Sequence, residues 1–217
     1  MHKTVNNLLN IQNQLKPESL KEYHSRIIAV SKTFPISEIL PLIQFGHLDF
    51  GENKIQEAID KWSLIKKEFT QVKLHMLGKV QTNKVKYLLP LFDYIHSLDN
   101  LKLAEKIAQE EEKKNKKLKI FIQVNLGQET QKNGIDKRHV ESFCNDCVNR
   151  LGLNIVGLMC IPPQSLDPKP FFLELKKISK VLDLKELSMG MSSDFVEAAK
   201  HGSTFLRIGT DIFGKRG

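Results

Sequence analysis

Ile27-Ile28-Ala29-Val30-Ser31-Lys32-Thr33-Phe34-Pro35 is an apolar run that stops at a serine and a lysine. Four aliphatic residues bounded by turn-forming residues read as a short strand. An open, doubly wound α/β sheet usually carries a glycine-rich loop after its first strand. No glycine stands between Val30 and Pro35. The stretch therefore favours a closed barrel, with the open sheet as the alternative.

The rest of the chain repeats the pattern. Further apolar runs occur at His47–Phe50, Leu74–Leu77, Tyr94–Ser97, Ile120–Val124, Ile155–Ile161, Glu186–Met189 and Phe205–Ile208. Several are too short to read alone, and their regular spacing gives them weight. Between them lie residues at helical offsets, such as Ile36, Ile39, Leu40 and Ile43, or Ile55, Ala58, Ile59, Trp62 and Ile65. Alternating strands and helices imply parallel strands with right-handed crossovers. Eight strands fit a (β/α)8 TIM barrel. Residues 1–217 are expected to form a single domain, with residues 1–22 supplying an extra N-terminal helix through Val5, Leu8, Ile11 and Leu15. No helix-length segment follows the eighth run. That N-terminal helix is expected to cover the seam where the first and last strands meet.

Composition narrows the function class. No apolar run is long enough to span a bilayer. The N-terminus lacks the apolar stretch and small-residue cleavage site of a signal peptide, so a cytoplasmic protein is expected. Cys144 and Cys147 form a Cys-x-x-Cys pair with no second pair to complete a metal site. They share an apolar helix face with Val140, Phe143, Val148 and Leu151. Buried structural thiols are expected, and no metal ligands. Net charge is +8, which permits an anionic ligand or nucleic acid. The densest charge run, Glu110–Lys117, mixes both signs and reads as a solvated helix end. With only 7% aromatic residues and no basic–aromatic stripe, nucleic-acid binding is not expected.

In such barrels the working face lies at the C-terminal ends of the strands. There the sequence puts Lys32, Glu52, Asn53, Gly78, Asn125, Met159, Ser192, Gly209 and Thr210. A lysine held at a barrel mouth is partly desolvated, which lowers its pKa and favours the neutral amine that attacks a carbonyl. Among 33 lysines and arginines it is also what an ordinary surface lysine looks like. Ser188-Met189-Gly190-Met191-Ser192-Ser193-Asp194 joins a strand to a helix, where Ser192 or Ser193 can cap the helix and its free N–H groups favour an anion. Arg207-Ile208-Gly209-Thr210 ends the next strand. Loops after strands seven and eight often build a phosphate site in this fold. His75 is open to two readings, a pocket residue or a satisfied core histidine.

At these residues the chain resembles the YggS/PROSC family, the pyridoxal phosphate homeostasis proteins. Ala29-Val30-Ser31-Lys32-Thr33 resembles the family's lysine strand, and Phe50-Gly51-Glu52-Asn53 with Gln56-Glu57 resembles its FGENxxQE motif. His75–Lys84, Gly157-Leu158-Met159, Ser188–Asp194 and Arg207–Gly214 resemble four further motifs, in order. Val80, Met76-Leu77 and a short segment after Pro163 depart from the family pattern. The resemblance implies a fold-type III barrel, similar to the N-terminal domain of alanine racemase, that binds pyridoxal 5′-phosphate (PLP). It implies that Lys32 forms the Schiff base, that Ser192, Gly209 and Thr210 hold the phosphate, that Arg207 faces the pyridine nitrogen, and that Asn53, His75 and Met159 line the ring pocket. A fixed positive charge there disfavours protonating that nitrogen, and an unprotonated ring is a weaker electron sink.

The implied role is a monomeric carrier that holds PLP and exchanges it with PLP-dependent apoenzymes, with no residue assigned to catalysis. The alternative is an amino-acid racemase. That reaction needs a second base opposite Lys32, and none of Tyr23, Tyr87 and Tyr94 lies in a motif that would reach over the ring. The chain is expected to end with the barrel, without a second domain to bring such a base.

Overall fold

The computed structural model describes residues 1–16, 25–127 and 133–215. Its helices are α1 (Lys3–Gln14), α2 (Ile36–Gln44), α3 (Ile55–Trp62), α4 (Ile65–Glu68), α5 (Leu88–Leu91), α6 (Leu101–Lys114), α7 (Val140–Asn145), α8 (Lys169–Val181), α9 (Phe195–Lys200) and α10 (Thr210–Phe213). The strands are β1 (Arg26–Val30), β2 (Asp49–Glu52), β3 (Lys73–Met76), β4 (Tyr94–Leu98), β5 (Lys119–Asn125), β6 (Ile135–Asp136), β7 (Ile155–Met159), β8 (Glu186–Ser188) and β9 (Phe205–Ile208). Every pairing is parallel. The order runs β4-β3-β2-β1-β9-β8-β7-β5, and β4 also pairs with β5, so eight strands close on themselves. The two-residue β6 adds to the end of β5 outside that ring. The TIM barrel read from the alternating pattern is the observed fold, and the open sheet is excluded by the β4–β5 and β1–β9 pairings.

The strands alternate faces. On β1, Ile27 and Ala29 pack into the large core between the strands and the helices, while Ile28 joins Tyr94, Phe121, Met159 and Phe205 in a second cluster filling the barrel's interior. The helices form where apolar residues recur at helical spacing and local groups satisfy their ends. The Asn100 side chain accepts the Leu103 N–H to start α6, and Asn115, in the left-handed region, ends it. Among the described residues no helix is long and apolar enough to cross a membrane.

The seam is the β1–β9 pair, in register from Arg26↔Phe205 to Ala29↔Ile208. Helix α2 follows β1 and α10 follows β9, and α1 packs against both. It buries Thr4, Val5, Leu8 and Ile11, and the Asn7 Nδ2 group donates to the Ile212 carbonyl at 2.8 Å. The observed helix ends at Gln14, and residues 17–22 of the expected one lie outside the described residues.

Candidate functional site

The barrel's inward-facing positions rise in layers towards its C-terminal mouth. On β1 they continue from Ile28 through Val30 to Lys32, and on β9 from Phe205 through Arg207 to Gly209. A pocket of about 580 Å³ opens where these tracks end. Val30, Phe34, Leu77, Met159 and Ile161 supply its apolar walls. Lys32, Asn53, Ser192, Arg207, Thr210 and Asp211 supply polar groups, with two cations against one carboxylate. Phe34 and Phe213 stack at 4.9 Å beside it, joining the segment after β1 to the end of α10.

The backbone around Lys32 is held from below. Lys61 on α3 extends its Nζ to the Ser31 carbonyl at 2.9 Å and to the Oε1 atoms of Glu52 and Glu57, both at 3.0 Å. Glu52 is fully buried and also accepts from the Ser31 hydroxyl (2.7 Å) and the Trp62 indole N–H (2.9 Å). Glu57 accepts the backbone N–H of Thr33. Burial opposes ionisation of Glu57, but the Thr33 N–H and Lys61 outweigh it and hold its carboxyl below the usual value. Thr33 has φ +70°, a left-handed conformation costly for a β-branched residue.

Arg207 is nearly sealed from solvent, at 6% exposure, yet it lines the pocket. Its Nη1 donates to the Ser188 Oγ at 2.7 Å and its Nη2 to the Cys160 carbonyl at 2.9 Å. Among the described residues no carboxylate pairs with it. Burial lowers its pKa, with Cys160 and Asp194 acting in the opposite sense, and a guanidinium remains charged regardless. Below it a polar chain crosses the barrel. Ser188 Oγ meets His96 Nδ1 at 2.8 Å, His96 Nε2 meets His75 Nδ1 at 3.0 Å, and His75 Nε2 meets Asp49 Oδ1 at 2.9 Å. Burial lowers both histidine pKa values, with Asp49 partly offsetting this at His75. With both rings neutral, only one assignment satisfies every link. His75 donates to Asp49, His96 donates to His75, Ser188 donates to His96 and Arg207 donates to Ser188.

The loop after β8 is shaped by Gly190 and Asp194. Gly190 has φ +90°, and a Cβ there would lie 2.5 Å from the Ala198 Cβ. Its carbonyl accepts the Arg207 N–H at 3.0 Å. Ser192 and Ser193 do not cap α9. Asp194 stands at the N-cap, and its carboxylate turns back to the Met191 N–H at 2.6 Å. The Ser192 hydroxyl instead faces the Asp211 N–H at 3.4 Å, tying this loop to the start of α10. Gly78 seats Asn53 in a similar way, because a Cβ at position 78 would lie 2.1 Å from the Asn53 carbonyl oxygen.

The structure brings Lys32, Asn53, Met159, Ser192, Arg207, Gly209 and Thr210 to one pocket, and it leaves His75 out. The expectation that His75 lines the ring pocket is therefore corrected. His75 points inward one layer too low, its ring stacked on Tyr94 at 4.3 Å. Leu77, two residues on and on the same face, lines the wall instead. Sequence reasoning also missed Lys61, Glu57 and Asp194, whose roles are hydrogen bonds to backbone groups. The three cysteines are buried and free, and burial pushes the Cys147 and Cys160 thiols up to about 12.

The family described as alanine racemase, N-terminal domain, matches residues 4–217. The pyridoxal phosphate homeostasis protein of Aquifex aeolicus is 34% identical over 218 residues, covering 96% of this chain and 95% of its own. Its namesake from Vibrio cholerae is 36% identical over 202 residues, 88% of this chain and 85% of its own. PipY of Synechococcus elongatus, solved without PLP, superposes with a TM-score of 0.89 at 32% identity, covering 98% of this chain and 100% of that one. PipY solved with PLP bound gives 0.87 at 32% identity, covering 97% and 100%. Alanine racemase of Bartonella henselae, 18% identical with a TM-score of 0.73 over 99% of this chain and 60% of its own, shares the fold. From its first helix to its last strand, this chain belongs to the pyridoxal phosphate homeostasis protein family.

Proposed function

We propose that this protein binds PLP in the pocket at the barrel mouth and serves in PLP homeostasis as a carrier. The observation that carries the reading is the meeting of Lys32, from the first strand, with Arg207, Gly209 and Thr210, from the last, on the surface of one cavity. The residues fit the group. Arg207 is a buried cation that uses two protein acceptors, leaving N–H donors for a ring nitrogen. Ser192 and Thr210 offer hydroxyls to a phosphate, and Leu77, Met159 and Ile161 offer apolar surface to a pyridine ring. The chemistry PLP would supply there is an aldehyde, with which the Lys32 amine could condense with loss of water.

The remaining chemistry belongs to the protein's own groups. Arg207 holds a permanent positive charge where a second proton would have to sit. Asn53 and Met159 flank the ring position. The relatives named as homeostasis proteins and the PLP-bound PipY support the same reading. A racemase reading has no tyrosine on the pocket wall among the described residues to act as the second base. Tyr94 is buried with its ring on His75, and neither it nor Tyr87 lines the pocket, while Tyr23 lies outside the described residues. In this reading the protein works as a cytoplasmic monomer, with PLP-dependent apoenzymes as recipients.

The test is direct. The purified protein is incubated with PLP, its visible spectrum recorded, the complex reduced with borohydride and the modified peptide mapped. Covalent label is expected on Lys32, and Lys32→Ala should lose it. A colourless protein, or label on another lysine, overturns the assignment.

A further inference from the structure

Lys32 stands between two residues whose backbones are gripped by the same ionic cluster, buried at Glu52 and partly exposed at Glu57. On one side, the Ser31 carbonyl accepts from Lys61 Nζ and the Ser31 hydroxyl donates to Glu52. On the other, the Thr33 N–H donates to Glu57. Lys61 joins the two carboxylates and is itself only 9% exposed. The cluster is anchored to α3, which brings Glu57 to it from one turn and Lys61 with Trp62 from the next, and to β2 through Glu52. None of these charged groups lines the pocket. A surface pair would not need a fully buried carboxylate that also takes an indole donor, nor a lysine that bridges two carboxylates and a main-chain carbonyl. The Thr33 backbone, at φ +70°, is a conformation that persists only where the surroundings impose it.

We propose that Glu57, Lys61 and Glu52 are positioning residues that hold the Ser31–Thr33 corner, so that the Lys32 amine meets the cofactor's aldehyde. This rests on the PLP-binding reading above. The cluster sets the rate of C=N bond formation and leaves the phosphate contacts and Arg207 alone, since those lie on β9 and on the segments after β8 and β9. Glu57 makes the decisive link because it accepts the Thr33 N–H directly.

The test compares two ligands. PLP can form the C=N bond, whereas pyridoxine 5′-phosphate, with an alcohol in place of the aldehyde, can only bind. Stopped-flow absorbance gives the rate of bond formation with PLP, and calorimetry gives the affinity for pyridoxine 5′-phosphate. In Glu57→Ala the rate is expected to fall about tenfold or more, since misplacing a reacting group by about 1 Å can cost about a hundredfold. The affinity for the alcohol should stay within about twofold, a difference of less than about 0.5 kcal/mol. Glu57→Gln, which keeps an oxygen acceptor for Thr33, should recover most of the rate. Lys61→Met should resemble Glu57→Ala, and its melting curve shows whether it folds. A Glu57→Ala rate equal to that of the unmodified protein overturns the proposal, as does an equal loss of both ligands' binding. If the unmodified protein forms no bond at Lys32, the underlying PLP reading fails as well, and borohydride mapping distinguishes that case.

Discussion

Replacing Leu8 by alanine tests whether α1 holds the barrel's seam. Leu8 is 1% exposed and packs in the main core, with Val5 and Ile11 on the same helix face. Truncating a buried leucine costs about 2–5 kcal/mol, the upper end applying where the surroundings cannot collapse. At this site α1 rests on two helices from opposite ends of the chain, and Asn7 is tied to the Ile212 carbonyl, so little relaxation is open to it. For a chain of this size each kcal/mol lowers the melting temperature by about 2–4 °C, giving a drop of about 4–20 °C. Asn6→Ala, on the exposed face of the same helix, is the control and should change stability by less than about 0.5 kcal/mol. Differential scanning calorimetry compares the two. Because α10 begins at Thr210 in the pocket, Leu8→Ala should also weaken pyridoxine 5′-phosphate binding, while Asn6→Ala should not. If both variants melt together, α1 is an ornament on the barrel and the seam argument is wrong.

Gly190→Ala forces a side chain into the Ala198 Cβ at a left-handed φ, and strain plus overpacking of about 2–5 kcal/mol should show in urea unfolding. Ser188→Ala removes the hydroxyl between Arg207 and His96. Imidazole 15N spectra should show His96 as the Nε2–H tautomer in both proteins, because the chain is fixed from the Asp49 carboxylate, with stability reduced by about 1–3 kcal/mol for the orphaned partners. His47, His75 and His96 are held below their ordinary value of 6.5, chiefly by burial. The unfolded chain takes up those protons first as pH falls, so their contribution is whole above about 6.5 and shrinks below it. Melting temperatures from pH 8 to 5 should be flat and then decline. His96→Phe, which keeps the stack on Phe121, should make the decline shallower.

The barrel was legible because strand and helix alternate regularly and because the segment after Val30 lacks glycine. Strand ends were less so. The apolar run at His47–Phe50 predicted a strand two residues early, whereas β2 spans Asp49–Glu52, because pairing to Ala29 and Val30 sets its register. The run Ile155–Ile161 overshot β7, which ends at Met159, three residues before Pro162. Seven pocket residues could be found by following each strand to its end, since a barrel gathers those ends on one face. His75 could not be placed that way. Its distance along the strand, one layer below the mouth, depends on the register with β2 and β4, which residue types do not encode. The Lys61 cluster was invisible for a related reason, since its backbone partners, Ser31 for Lys61 and Thr33 for Glu57, lie 30 and 24 positions away.

The cavity straddles the junction of the two strands most distant in sequence, β1 and β9, with Lys32 on one side and Arg207 on the other. A growing polypeptide therefore has no binding site until its final strand emerges and docks against its first. Closing so long a loop is slow and entropically costly, and a ligand that bridges both edges favours the finished ring by mass action. If the pocket holds PLP as proposed, the ligand would act as an inspector of assembly, retained only by chains whose two ends have found each other.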